Sequence, residues 1–193
     1  MKMRKLFSAS TVLAVAFVIA ACSPTSEGVV TVGGRDLDSL VAASDLVVIG
    51  SVVREAGTRN LVRDPYDVLN EHSTLVGVAQ DYEIRIEKVA KGTVGDSRVV
   101  VTNSRSMGRR GGEQVQHKRF LPLTVGGRYV LFAKRLAHAP TVYALAFEPS
   151  VFELGRTATV RSTWAEASVD FPPRPAEVFV TDVMDAAAKT RGR

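Results

Sequence analysis

The chain has 193 residues, 46% hydrophobic and 23% charged, an ordinary globular balance that excludes wholesale disorder. Its formal charge of +5 shrinks once Lys2, Arg4 and Lys5 are set aside as part of a removable leader. The remainder has 22 basic residues against 20 acidic ones, too small an excess to argue for nucleic acid. One cysteine excludes an internal disulfide.

Residues 1–5 are basic, and Leu6–Ala20 is an apolar run interrupted only by Ser8, Ser10 and Thr11. A membrane-spanning helix needs about 20 apolar residues. A charged start, a shorter apolar run and small residues after it define a secretory signal. The run ends Ile19-Ala20-Ala21-Cys22, which resembles the bacterial lipobox. The resemblance implies a diacylglycerol thioether on Cys22 and cleavage before it, which also accounts for the odd cysteine. The expected organisation is a lipoprotein signal peptide over 1–21, a flexible tether over 22–34 and one domain over 35–193. The protein is then exported and lipid-anchored on the extracytoplasmic face, with the membrane as its first partner.

Within the domain, Asp36–Ser44 suits one or two helical turns, with Asp36 or Asp38 as N-cap and Leu37, Leu40 and Val41 on one side. Leu46–Val53 is nearly all aliphatic and reads as a strand buried on both faces. Gly50 marks a bulge or the close approach of another backbone. Residues 54–74 are polar and read as a long loop. Val76–Lys88 alternates: Val78, Gln80, Tyr82, Ile84 and Ile86 on one face, Ala79, Asp81, Glu83, Arg85 and Glu87 on a wet one. Lys91-Gly92 reads as a turn and Arg98–Thr102 as a short strand, with a second polar loop over Ser104–Arg119. Arg128–Arg135, Thr141–Phe147 and Val151–Val160 give further strands, and Pro172, Pro173 and Pro175 end the sheet. Ala176, Phe179, Val180, Val183, Met184 and Ala187 then form one apolar stripe on a helix over 175–189. The expected fold is mainly β: a small OB-like antiparallel β-barrel of five or six strands, with a short N-terminal helix and a C-terminal amphipathic helix.

Three blocks in order resemble the netrin-like and metalloprotease-inhibitor N-terminal domains, and many secreted bacterial proteins. They are Ala43–Val53, Tyr82 to Lys91-Gly92, and Leu123–Phe132 with its Gly126-Gly127-Arg128-Tyr129 centre. The resemblance spans about residues 40–155 and implies the OB-like barrel. The animal inhibitors chelate zinc through a free N-terminal cysteine amine held by disulfides. No cysteine follows Cys22, so no residue of that inhibitory site carries over, and fold alone does not transfer activity.

Candidate chemistry is sparse. His72, His117 and His138 all lie in expected loops without a second ligand at metal spacing. Asp64, Asp67 and Glu71 lack EF-hand spacing. No Gly-x-Ser-x-Gly elbow occurs. Gly108–Gly112 opens no helix, so the dinucleotide context is absent. Glu83 and Glu87 alternate with Arg85, which suggests a solvated or cross-strand paired face. Trp164, Phe171 and the Pro172–Pro175 run are a candidate apolar recognition edge, but Trp164 reads as packed in the core or under the C-terminal helix. No catalytic residue, metal or cofactor is assigned. The one feature with binding content is Arg105, Arg109, Arg110, Lys118 and Arg119, a candidate patch for an anionic ligand. No aromatic residue interleaves them, which disfavours single-stranded nucleic acid.

The expected function is a non-enzymatic binding or scaffolding module for an envelope protein or anionic envelope polymer. The alternatives are a protease inhibitor using the barrel edge and an enzyme of unrecognised type. The anchor is directly testable. The chain purified from membranes should weigh more than its peptide from Cys22 onward by the mass of the acyl groups. Cys22→Ser should abolish that increment and the partitioning into detergent, both read by intact mass and phase separation.

Overall fold

The computed structural model describes residues 34–60, 75–109, 114–116, 121–137, 139–162 and 166–191. Helix α1 covers Leu37–Ala43. It starts where Asp36 accepts a hydrogen bond from the Ser39 backbone N–H at 2.7 Å, satisfying one of the helix's orphan donors. Leu40 and Val41 face the core. Of the two expected caps, Asp36 is the one used.

Strand β1 follows, Leu46–Asn60, then β2 (Leu75–Lys91), β3 (Arg98–Arg109), β4 (Gln114–Gln116), β5 (Arg128–Leu136), β6 (Ala139–Ala144), β7 (Val151–Leu154) and β8 (Thr157–Arg161). A one-turn helix α2 (Ala167–Asp170), a two-residue strand β9 (Arg174–Pro175) and helix α3 (Ala176–Arg191) complete the described chain. The strands pair in the order β1-β2-β3-β6-β5-β7-β8-β9, and β4 pairs with β3. Strand β1 also pairs with β5, from Leu46↔Ala133 to Ser51↔Arg128. Strands β1, β2, β3, β6 and β5 therefore form a closed ring.

Two apolar layers result. Leu46, Val48, Val52, Tyr82, Ile84, Val101, Tyr129 and Leu131 fill the ring interior. On the outer side Val47, Ile49, Val130, Phe132 and Phe152 pack against α1 and α3. Alternation along β1 feeds both layers, because successive side chains point to opposite faces. Gly50 lies where the expectation put it, at a close approach. A Cβ there would sit 2.5 Å from the Arg85 carbonyl oxygen, and the register shifts beside it, between Ile49 and Gly50.

Helix α3 buries Phe179, Val180, Val183 and Ala187 as its stripe requires, with Ala186 added. It spans Ala176–Arg191 and not 175–189, because Pro175 belongs to β9. The mainly β class is correct. Several finer expectations are not. Among the described residues the sheet has nine strands, five of them in the closed ring. It is not wholly antiparallel, since β3 pairs with β6 in parallel. Residues 54–60 and 104–109 are strand and not loop. Their polarity reflects long strands overrunning the ring, where an apolar face has less to pack against. Val151–Val160 divides into two strands of one hairpin at Gly155-Arg156, and the prolines do not stop the sheet, because Pro175 still pairs with Thr157. Phe171 is core; Trp164 lies outside the described residues.

Phe152 links the outer layer. Its ring centroid lies 5.6 Å from Phe132, 5.3 Å from Phe171 and 4.7 Å from Phe179. Phe152→Ala should cost about 3–5 kcal/mol, as for other buried aromatic truncations, measured by denaturant unfolding with the slope unchanged.

Candidate functional site

The ring sets where its strands become a free-standing ribbon. Strand β5 accompanies β1 only as far as Ser51, and β6 accompanies β3 only over Val100–Thr102. Beyond those points β1, β2, β3 and β4 continue side by side, with Asn60 level with Val78, Leu75 with Arg109 and Met107 with Val115. This four-stranded arm lies at the end of the ring opposite α1.

Arg105 stands exposed on the β3 strand of the arm. Arg109 occupies the last position of β3. The other members of the expected anionic-ligand patch, Arg110, Lys118 and Arg119, lie outside the described residues, as do Cys22, His72, His117, His138, Asp64, Asp67 and Glu71. Arg109 is therefore placed by its backbone alone, four residues along the strand from Arg105. The β3 register shifts between Ser104 and Ser106, so Arg105 itself sits at a bulge.

The supposedly wet face of β2 is largely buried. Asp81 is 6% exposed and Glu83 9%, and both are neutralised by arginines from neighbouring strands. Arg59 grips Asp81 through Nε and Nη2, at 2.5 to 2.9 Å, the bidentate geometry that suits a carboxylate best. Glu83 sits between Arg54 of β1 at 2.6 Å and Arg98 of β3 at 2.5 Å. The Arg98 hydrogen bond holds the Glu83 carboxyl below the usual carboxylate range; burial opposes it and Arg54 reinforces it. For Glu87, burial pushes the carboxyl up, but hydrogen bonds from Arg128 and Ser51 together with the charges of Arg128 and Arg85 carry it below its ordinary value. Arg128 also reaches Glu177 of α3 at 3.2 Å. The expectation of a cross-strand paired face holds for Glu83 and Glu87, and that of a solvated one does not hold for Glu83.

These pairs separate structural arginines from available ones. Arg54, Arg59, Arg98 and Arg128 each face a carboxylate. Among the described residues no carboxylate pairs with Arg105. Its nearest chemistry is the mouth of the ring, where Glu55 and Tyr82 stand level on β1 and β2. Tyr82 is fully buried, and among the described residues its hydroxyl makes no well-formed hydrogen bond. Burial pushes that hydroxyl's pKa up, the Leu123 backbone lowers it, and Glu55 and Arg105 act on it by charge in opposite directions. Tyr129 in the same mouth accepts from the Thr124 N–H at 3.0 Å. Sequence reasoning missed Tyr82 and the Arg59–Asp81 clasp; the alternation put Tyr82 inward but carried no sign of its unmet hydroxyl.

Among the described residues no group of three or more histidine, cysteine or acidic side chains is arranged to hold a metal ion. No described helix is long and apolar enough to cross a membrane. No family model matches the chain. No curated protein matches it.

Glu83 supplies a pH test. A carboxyl held below its ordinary value of 4.5 contributes stability that is complete above that value and is lost as pH falls through the lower, folded-state value. Unfolding midpoints measured from pH 7 down to the acid transition should therefore drop below about pH 4.5. Glu83→Gln should flatten part of that acid-side fall while lowering the midpoint at pH 7, since it leaves Arg54 and Arg98 facing each other.

Proposed function

We propose that this chain is an exported, lipid-anchored, non-enzymatic binding module, tethered through Cys22 and presenting its four-stranded arm to an anionic envelope ligand. The observation that carries the reading is Arg105. It is exposed on the arm while the arginines around it are committed to carboxylates. Arg109 follows four residues on, at the end of β3. A guanidinium that no carboxylate among the described residues engages is suited to bidentate capture of a phosphate or carboxylate. The arm lies at the far end of the ring from the point where the chain emerges from its tether, so an anchored domain extends it outward.

The lipobox-like Ile19-Ala20-Ala21-Cys22 and the preceding apolar run support export and anchoring. The ring of five strands with a helix packed against it supports an OB-like barrel of the netrin-like kind. Such barrels commonly bind extended polymers across an open strand face.

Binding of the chain to an immobilised glycerol-phosphate polymer tests the reading. Affinity should fall as salt rises, and Arg105→Glu with Arg109→Glu should weaken it about ten-fold or more, two charge-assisted contacts at a few kcal/mol at most each. Binding unchanged by the double charge reversal, with folding intact by circular dichroism, would remove the arm as the site.

A further inference from the structure

The end of the ring opposite the arm has its own charge character. Strand β1 starts there and β2 and β5 finish there: Leu46 is level with Ala133 and Val47 with Lys91. The last turns of both long elements of the helical layer join them. Arg191 of α3 donates to the Ala90 carbonyl at 2.5 Å. Lys91 donates to the Val41 and Ala42 carbonyls at the C-terminus of α1, at 2.7 and 3.2 Å, where a cation also suits the helix dipole. Lys189 lies 3.8 Å from Asp38. Lys88, Lys134 and Arg135 are exposed alongside.

The acidic residues at this end are Asp38, Asp45, Asp96 and Asp185. Two of them are already engaged: Asp38 by Lys189, and Asp45 by the Arg135 backbone N–H at 2.9 Å. The six cations, Lys88, Lys91, Lys134, Arg135, Lys189 and Arg191, outnumber these four exposed acids. This is also the end to which the tether delivers the chain, because α1 leads through Ser44 and Asp45 directly into β1.

We infer that this basic end is the membrane-facing surface of the domain, seated on anionic phospholipid headgroups when the chain is anchored at Cys22. The inference rests on the lipid-anchored reading above and adds an orientation to it. The twelve residue steps from Cys22 to Gly34 span at most about 40 Å when fully extended, so the anchor holds the α1 end within reach of the bilayer. Tethering replaces a bimolecular encounter by a high effective concentration. A modest attraction per cation at an anionic leaflet then suffices to bias orientation, though the same patch free in solution would bind weakly. Strand β1 carries the arm up to about 45 Å from this end at a strand's rise per residue. The seated domain therefore holds Arg105 beyond the headgroup region.

The test uses the full chain, expressed as the lipoprotein and reconstituted into vesicles. One set is phosphatidylcholine alone; the other contains phosphatidylglycerol at about one third. A membrane-impermeant amine reagent is applied and each lysine is read by mass spectrometry. Lys88, Lys134 and Lys189 should label about three-fold or more slowly on the anionic vesicles, and the difference should vanish near 0.5 M salt, where charges are screened beyond about 4 Å. Lys134→Glu with Arg135→Glu should restore fast labelling at Lys88 and Lys189. Equal labelling on the two vesicle types, by a chain whose intact mass carries the acyl groups, overturns the seating and leaves the anchor standing. An intact mass without acyl groups overturns the anchored reading and the seating together.

Discussion

The first half of β1 is hydrogen-bonded on both edges and buried on both faces, and the remaining architecture is arranged around that double demand. Strand β2 takes one edge and β5 the other. Leu46, Val48 and Val52 supply the ring interior, while Val47 and Ile49 supply the layer under α1 and α3. Five such aliphatic side chains, at about 1.5–3 kcal/mol each, amount to roughly 10 kcal/mol of burial. That is comparable with the whole net stability of a domain, before chain entropy is set against it. A strand so committed must be apolar along this stretch, and residues 46–50 are Leu, Val, Val, Ile and Gly.

Past Val52 the same strand meets different conditions. Strand β5 no longer accompanies it, and its residues become Arg54, Glu55, Gly57, Thr58 and Arg59. Ion pairs now tie the sheet together on its outer face. Arginines on β1 and β3 reach the acids of β2 from both sides, so Asp81 and Glu83 are enclosed without being left as uncompensated charges. Partial exposure of Arg54 and Arg98, at 63% and 57%, keeps the desolvation cost of that cluster small and its stabilisation modest. What the pairs provide is register. A slip of one residue along β2 would carry each carboxylate to the opposite face and away from its arginine.

Local periodicity made several features legible in the sequence. The Asp36 cap, the special position of Gly50, the inward set of β2 and the stripe of α3 each depend on residues within one or two turns or a few strand positions of one another. The arm was illegible for the opposite reason. Its β1 and β3 segments are mainly polar, so residues 54–60 and 104–109 carry no alternation that distinguishes them from loop. The ion pairs were hidden by distance along the chain: Arg128 meets Glu87 across 41 positions and Arg59 meets Asp81 across 22. No window along one sequence contains both partners. Of the expected cationic patch, Arg105 owes its distinction to the company its neighbours keep, which only the fold reveals.

The closure of the ring has a consequence for how the molecule is made. Leu46 is hydrogen-bonded beside Ala133, and the remaining seam joins β3 to β6 in parallel, a pairing that no tight hairpin can deliver. Hairpins such as β1–β2 and β7–β8 are local and can form early. The seam must wait for loops of tens of residues to close, an entropic cost that precedes any reward. Chains dominated by such distant pairings assemble slowly, on the order of milliseconds to seconds. As the chain emerges from a ribosome, the aliphatic start of β1 must stay unpaired on one side until some eighty further residues have followed it, which leaves apolar surface open to off-pathway association in the meantime.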